Sequence, residues 1–216
     1  MAFCYRFFDK RWVIIPFFDS VVNCLKRANI DFLRAFAIIR TVIFMKQETK
    51  QQLAQSIRDF HLPRYHEIPN VGLYLDQATK YVGEHLEPLG EYTLTPSMIR
   101  NYVSKGLIEN PVKKQYGREQ IAYLFFIAVA KSVLSLDALV AFIHLQKKTY
   151  DLPTAYDYFV EEMENLLMYT FELKPRPEKI GMDQTDEKRL LYTCILAAVR
   201  KVYLEKCLAA IAGEDV

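Results

Sequence analysis

The sequence predicts a mostly α-helical protein in which a winged helix-turn-helix with a short β wing precedes an all-helical C-terminal extension. Three observations support this fold class. A segment around residue 100 is apolar on one helical face and polar and cationic on the other. A glycine and a short basic ribbon follow this segment. The next helix is apolar nearly all round, which is typical of a buried helix.

The first 44 residues differ in composition from the rest of the chain. They hold eight of the 14 phenylalanines and the only tryptophan, but one of the 14 tyrosines, so we treat them as a separate, atypical leader. Two interpretations stay open: a peripheral membrane anchor, or an upstream translation that is not part of the native protein. We favour the second, because Met45 opens like an ordinary soluble N-terminus and no apolar run reaches membrane-spanning length. The predicted domains are 1–44, a winged-helix domain over 45–150, and a helical extension over 151–216.

Several elements should precede the polar helix. Residues 46–60 have the spacing of a short amphipathic helix, and 62–72 form an extended connector punctuated by prolines. A first core helix covers 73–86, and a turn covers 88–92. Within the connector, His66 beside Glu67 is interpreted as a packing and capping element rather than a catalytic pair.

The polar helix should begin at Pro96, with Thr95 as its N-cap and Gly106 as its C-cap. Its apolar face carries Met98, Ile99, Tyr102 and Val103. Its opposite face carries side chains that can hydrogen-bond base edges or phosphates, namely Ser97, Arg100, Asn101 and Ser104.

A basic wing should follow over 107–116, with its bend at Asn110 and Pro111. Over 97–118 five basic residues oppose Glu109 alone, a local balance of +4 on a chain whose net charge is only +2. A basic patch on a nearly neutral protein indicates local contact with nucleic acid. The basic residues are Arg100, Lys105, Lys113, Lys114 and Arg118.

The rest of the chain should be helical. A buried helix runs from Arg118 to Ala130, and the next, capped by Ser135, reaches about Lys148. Two more helices cover 153–171 and 186–211. The inward face of the last is predicted to carry Leu190, Leu191, Cys194, Ile195, Ala198 and Val202.

The chain has neither an enzyme signature nor a metal-binding pattern. It lacks a glycine-rich phosphate loop, HExxH and GxSxG, and its four histidines are scattered. The four cysteines show no CxxC pair, which fits a reducing, cytoplasmic compartment. We therefore expect no enzyme activity, no cofactor and no membrane partner.

Ile99 to Leu107 resembles the "IR-x-Y-x-x-x-GL" recognition helix and turn of MerR-type winged helices. Tyr116 with the following apolar helix, and Leu134 to Asp137, resemble later parts of the same group. The wider stretch 62–140 is similar to an uncharacterised bacterial family, the YkrK-like proteins. The resemblance implies a MerR-like DNA-binding fold and a role in transcription, without an assigned effector. Residues 153–211 do not resemble the MerR dimer helix and sensing site.

These observations lead to a first functional hypothesis, a cytoplasmic transcriptional regulator that binds double-stranded DNA as a homodimer. Arg100 and Asn101 would contact bases, while Ser97, Ser104 and Lys105 would contact phosphates. The wing would contribute Lys113, Lys114 and Tyr116, with Arg118 at its base.

The alternative hypothesis is a protein-interaction module whose winged helix does not bind DNA. Its working surface would be the helical extension, including the acidic segment 151–164, which contains five carboxylates and no basic residue. A polar face at 97, 100, 101 and 104 that is exposed and contiguous with Lys113 and Lys114 would favour DNA binding. Burial of that face under 153–211 would favour this alternative.

Overall fold

The computed structural model describes residues 5–8, 11–14, 47–90 and 92–212. The chain divides into two compact units, Met1–Gln47 and Glu48–Val216. In the first unit, strand β1 (Tyr5–Phe8) pairs antiparallel with β2 (Arg11–Ile14). Most of the predicted leader lies outside the described residues, so its exclusion from the native protein stays a prediction.

The described part of the second unit is mostly α-helical. Strand β3 (Leu73–Tyr74) pairs antiparallel with β4 (Gln115–Tyr116), so two distant segments meet in one short ladder. The described residues form seven helices: α1 (Gln47–Ile57), α2 (Leu75–Leu86), α3 (Pro96–Ser104), α4 (Arg118–Ala130), α5 (Leu136–Thr149), α6 (Leu152–Thr170) and α7 (Asp186–Ala212).

Helix α4 lies at the centre of this unit, packed against α2, α6 and α7. Its sequence is apolar nearly all round, so it can be buried on every side. Leu124 and Phe125 are both fully buried. The prediction of a buried helix from Arg118 to Ala130 is confirmed, and this helix joins the α2–α3 layer to the α6–α7 layer.

At two of the predicted helix starts, the N-cap side chain accepts a hydrogen bond from the backbone N–H three residues later. Thr95 Oγ1 accepts from Met98 N at 3.2 Å, and Ser135 Oγ accepts from Ala138 N at 3.3 Å. Each cap satisfies a donor that the first turn leaves without an intrahelical partner. Both predicted N-caps are therefore confirmed.

Two predicted details of the helices are wrong. Residues 73 and 74 belong to β3 rather than α2, because they pair with β4 from across the domain. Leu190 is 49% exposed. Its neighbour Leu191 takes the buried position, and consecutive residues on a helix lie about 100° apart.

The connector before α2 is fixed to α6. Glu67 Oε2 accepts from Arg64 N at 2.6 Å and so caps the short 3₁₀ turn Tyr65–Glu67. Glu164 of α6 accepts from the Arg64 guanidinium at 2.9 Å and lies 2.9 Å from His61. The predicted capping role is confirmed for Glu67, whereas the predicted packing role of His66 is wrong because His66 is exposed. The connector ties the α2–α3 layer to the extension through Arg64 and His61.

Candidate nucleic-acid interface

Helix α3 presents its polar face to solvent. Ile99 and Tyr102 on its opposite face are buried, with exposures of 0% and 4%, and α3 packs chiefly on α2. The buried face fixes the rotation of the helix, which leaves the four predicted polar residues outside. Ser97, Arg100, Asn101 and Ser104 are all exposed.

The end of α3 is a Schellman motif. Gly106 N donates to Val103 O at 3.0 Å, and Leu107 N donates to Tyr102 O at 3.0 Å. Gly106 has φ +71°, in the left-handed region that glycine enters without a steric penalty. The predicted C-cap is confirmed. The motif leaves Lys105 exposed at the end of the helix and turns the chain back into the core at Leu107.

The segment 107–116, predicted to be a wing and called the wing below, turns at two consecutive lysines. Val112 and Gln115 exchange both backbone hydrogen bonds, at 2.9 and 3.1 Å, and only Lys113 and Lys114 lie between them. Both lysines have positive φ, +50° and +65°, as the central residues of a type I′ turn do. The predicted bend at Asn110 and Pro111 is wrong, because these hydrogen bonds close the turn further along. The turn leaves both lysine side chains exposed at the tip.

The base of the wing lies against the start of α2. Tyr74 and Leu73 pair with Gln115 and Tyr116, respectively. Gly72 precedes this ladder, and a Cβ there would come 2.7 Å from the Gln115 Cβ, so a larger residue would push the two segments apart. Gly72, interpreted from the sequence only as part of a connector, is required for this close approach.

Tyr74 is a candidate that the sequence analysis missed. It is 54% exposed and lies opposite Gln115, the first residue after the two wing lysines. A tyrosine hydroxyl at such a position can donate to a phosphate oxygen. The local sequence pattern could not reveal this role of Tyr74. Tyr74 reaches the wing only by pairing with Gln115, about 40 residues later in the sequence.

Two of the predicted contact residues serve the fold instead. Tyr116 is 4% exposed; its burial raises its pKa, and the nearby charge of Arg100 opposes that rise. Arg118 Nε donates to Ile68 O at 2.8 Å, and its guanidinium lies 5.7 Å from the centre of the Tyr65 ring. We therefore correct the candidate surface by removing both residues, since one is a core ring and the other pins the connector.

The corrected surface is positively charged. We define the basic face as Arg100 and Lys105 of α3 with Lys113 and Lys114 of the wing. All four are exposed, and none takes part in the ion pairs between described residues. In particular, no such ion pair joins Arg100 to Glu109. The cationic groups of the basic face point to solvent, where they can approach an anionic partner.

The acidic segment of α6 is largely used inside the molecule. Asp151 accepts from Thr154 N at 3.5 Å as the helix cap, and Asp157 accepts from Tyr65 N at 2.6 Å. Glu162 is 3% exposed, and Glu164 binds the connector. Asp151 and Glu161 are exposed and take part in no ion pair between described residues, and Glu161 is the one that has no capping role either.

Part of the chain is similar to a family of unknown function. Residues 63–159 match the family model DUF1836, a domain of unknown function. The match begins in the connector, covers the basic face, and ends within α6. No curated protein and no solved structure matches the chain.

Two features are absent from the described residues. None of the described helices is long and apolar enough to cross a membrane. Within the same residues, no group of three or more histidine, cysteine, aspartate or glutamate side chains is placed to hold a metal ion.

Proposed function

We propose that this chain is a DNA-binding transcriptional regulator whose α2, α3 and wing form a MerR-like winged helix-turn-helix. The observation that carries the proposal is the basic face, which combines an exposed polar helix with a wing tipped by two exposed lysines. The partner is double-stranded DNA, because an exposed helix of this size fits a major groove and the wing lysines suit a phosphate backbone.

The basic face suggests a division of roles. Arg100 and Asn101 lie mid-helix, where a guanidinium can fork onto guanine and an amide onto adenine. Ser97, Ser104 and Lys105 lie towards the ends of α3 and contact phosphates. Lys113 and Lys114 neutralise backbone charge, and Tyr74 donates to a phosphate beside them.

The regulator binds as a homodimer, because one module of this size binds DNA weakly and two half-sites double the contact area. The candidate dimer surface is the exposed apolar face near the end of α7. Leu204, Leu208 and Ile211 are 57%, 55% and 71% exposed and recur at i, i+4 and i+7, so they share one side of the helix. Exposed apolar groups on one helical face are a common feature of protein interfaces.

The interaction-module hypothesis is less well supported. This hypothesis would be favoured if helices from 153–211 covered the polar face of α3. That face is exposed, so the observation does not favour it. Its acidic surface is also reduced, because caps, the connector and burial engage four of the five carboxylates.

Selection from random duplex DNA at a stated salt concentration tests the proposal. We expect an enriched sequence and an affinity that falls steeply with added salt, as phosphate contacts require. Failure to enrich any sequence, together with no salt-dependent duplex binding, would refute the regulator hypothesis and leave the interaction module.

A further inference from the structure

A cavity of about 310 Å³ lies among α5, α6 and the start of α7, and no residue of the basic face lines it. Ile180, Gly181 and Asp183 of the loop before α7 form one of its sides. Its volume is at the lower end of the range found for small-molecule sites, about 300–1,000 Å³. We propose that it binds a small organic cation, that is, a molecule with an apolar body and one amine or quaternary ammonium group.

The walls of the cavity suit an apolar body. Phe142, Leu145 and Leu191 line it together with the rings of Tyr150 and Tyr158. Four of its lining residues, among them Phe142 and Leu191, also line a smaller void that reaches Phe126 of α4. An aromatic or alkyl group can therefore enter from the open side and be surrounded by carbon.

The charge of the lining selects a cation. Four carboxylates and one ammonium line the cavity, Asp157, Glu161, Asp183, Glu187 and Lys188, which leaves a net charge of −3. An anion would have to approach this excess of negative charge. A cation would gain from it, and the tyrosine faces would add a cation–π attraction.

The only ammonium in the lining is already engaged. Lys188 Nζ lies 2.7 Å from Asp183 Oδ1 and 4.9 Å from the centre of the Tyr158 ring, and its side chain is 12% exposed. Asp183 Oδ2 accepts from the Tyr150 hydroxyl at 2.6 Å, so both carboxylate oxygens of Asp183 are occupied. An anionic ligand would have to break this network to reach Lys188, at a cost that the cation avoids.

Glu161 and Glu187 are the carboxylates that we expect to pair with the ammonium group of the ligand. Neither takes part in an ion pair between described residues, and Glu187 is half-buried. They come from α6 and from the first turn of α7, so the cavity presents a carboxylate from each helix. These two residues define the cationic subsite.

Calorimetric titration of the full chain with three ligands of one shape tests the proposal. The probes are 3-phenylpropylammonium, 3-phenylpropanol and 3-phenylpropanoate, which share the apolar body and differ in charge. We expect saturable binding of the cation, weaker binding of the alcohol and weakest binding of the carboxylate. No saturable binding of the cation at millimolar concentration, or equal or tighter binding of either other probe, overturns the proposal.

Matched variants locate the site. We expect Glu161→Gln and Glu187→Gln each to weaken cation binding by about 2- to 5-fold, as the loss of one partly exposed ion pair does. Asp186→Asn removes a charge from the same turn of α7 but does not line the cavity, so it should have no effect. An equal effect of Asp186→Asn and Glu187→Gln would overturn the proposal, because the charge would then act from outside the cavity.

A variant that fills the cavity tests the apolar part. Ala155 lines both the cavity and the smaller void, so Ala155→Leu should abolish binding of all three probes while thermal unfolding shows that the protein is folded. Undiminished binding to folded Ala155→Leu would overturn the assignment of this cavity. None of these measurements uses DNA, so their failure is distinguishable from failure of the proposed function.

Discussion

At the scale of single residues, Gly106 couples the end of α3 to the core. Its φ of +71° is required by the Schellman motif, whereas a Cβ at this position would meet no atom within 4 Å. The need for glycine therefore comes from backbone conformation and not from lack of space. Gly83 is the opposite case. It lies inside α2, its φ is not positive, and a Cβ there would also meet no atom within 4 Å.

We predict opposite effects of alanine at these two glycines. Gly106→Ala should lower the free energy of unfolding by about 1–2 kcal/mol, and Gly106→Val by more, because a side chain disfavours the left-handed region. Gly83→Ala should raise it by roughly 0.5–1 kcal/mol through helix propensity. Urea unfolding measures all three. A neutral Gly106→Ala would show that this end of α3 tolerates another conformation.

The basic face yields a second prediction at this scale. If Arg100 contacts a base, Arg100→Ala should cost about 1–3 kcal/mol of DNA binding and relax preference at one base pair. Lys114→Ala should weaken all sequences alike and reduce the salt slope by about one unit. Lys148→Ala, an exposed lysine at the end of α5, is the control and should change neither. Equal losses for Lys148→Ala and Lys114→Ala would mean that only net charge matters.

At the scale of elements, the wing holds two lysines in a conformation that costs stability. Residues with a side chain rarely adopt positive φ, and asparagine followed by glycine is the preferred pair in a type I′ turn. Lys113 and Lys114 occupy both of these positions. Strained backbone conformations cluster at binding and other functional sites. The strain at this exposed tip, which carries two cations, therefore favours a role of the tip in binding.

The double substitution Lys113→Asn with Lys114→Gly separates stability from binding. We predict a small rise in the free energy of unfolding, because the turn is relieved of strain. DNA affinity should fall at the same time, with a salt slope smaller by about two units. Unfolding and binding are measured on the same preparation. A loss of stability would contradict the strain, and unchanged affinity would remove the wing from the interface.

The elements also show what the sequence could predict. Helix starts and ends were predictable at Thr95, Ser135 and Gly106, because caps depend on residues within one turn. The ladder between β3 and β4 was not, since two-residue strands carry no periodic signal.

The same division holds within the candidate site. The exposed face of α3 followed from helical periodicity, whereas the roles of Tyr116 and Arg118 depend on partners at Leu73, Tyr65 and Ile68. The cavity proposed as a cation site is likewise assembled from α5, α6 and α7, whose relative placement no local pattern encodes.

At the scale of the whole molecule, the two compact units predict independent folding. The fragment 45–216 contains the second unit entire, with the connector, α4 and the α6–α7 pair that hold it together. We predict that it melts within about 2 °C of the full chain. Thermal unfolding followed by circular dichroism compares the two. An insoluble fragment, or one that melts far lower, would show that Trp12 and the phenylalanine-rich segment belong to its core.

The proposed dimer provides the last prediction, made on the face of α7 that carries Leu204, Leu208 and Ile211. Leu204→Glu with Leu208→Glu should shift the protein from dimer to monomer in sedimentation velocity, because four like charges would then meet across a two-fold axis. The helix should remain folded, since both side chains are already more than half exposed. DNA affinity should fall as one half-site is lost.

Leu190→Glu supplies the matched control for this double variant. It introduces the same charge at an exposed leucine of the same helix, 14 residues before Leu204. We expect it to stay dimeric and to bind DNA as the wild type does, because Leu190 lies about four helical turns from Leu204, where the proposed contact begins. A wild type that is monomeric at working concentration, or a double variant that stays dimeric, would rule out this face. Binding lost in the double variant but restored by fusing it to an unrelated dimer would show that α7 serves DNA binding only by joining two copies of the basic face.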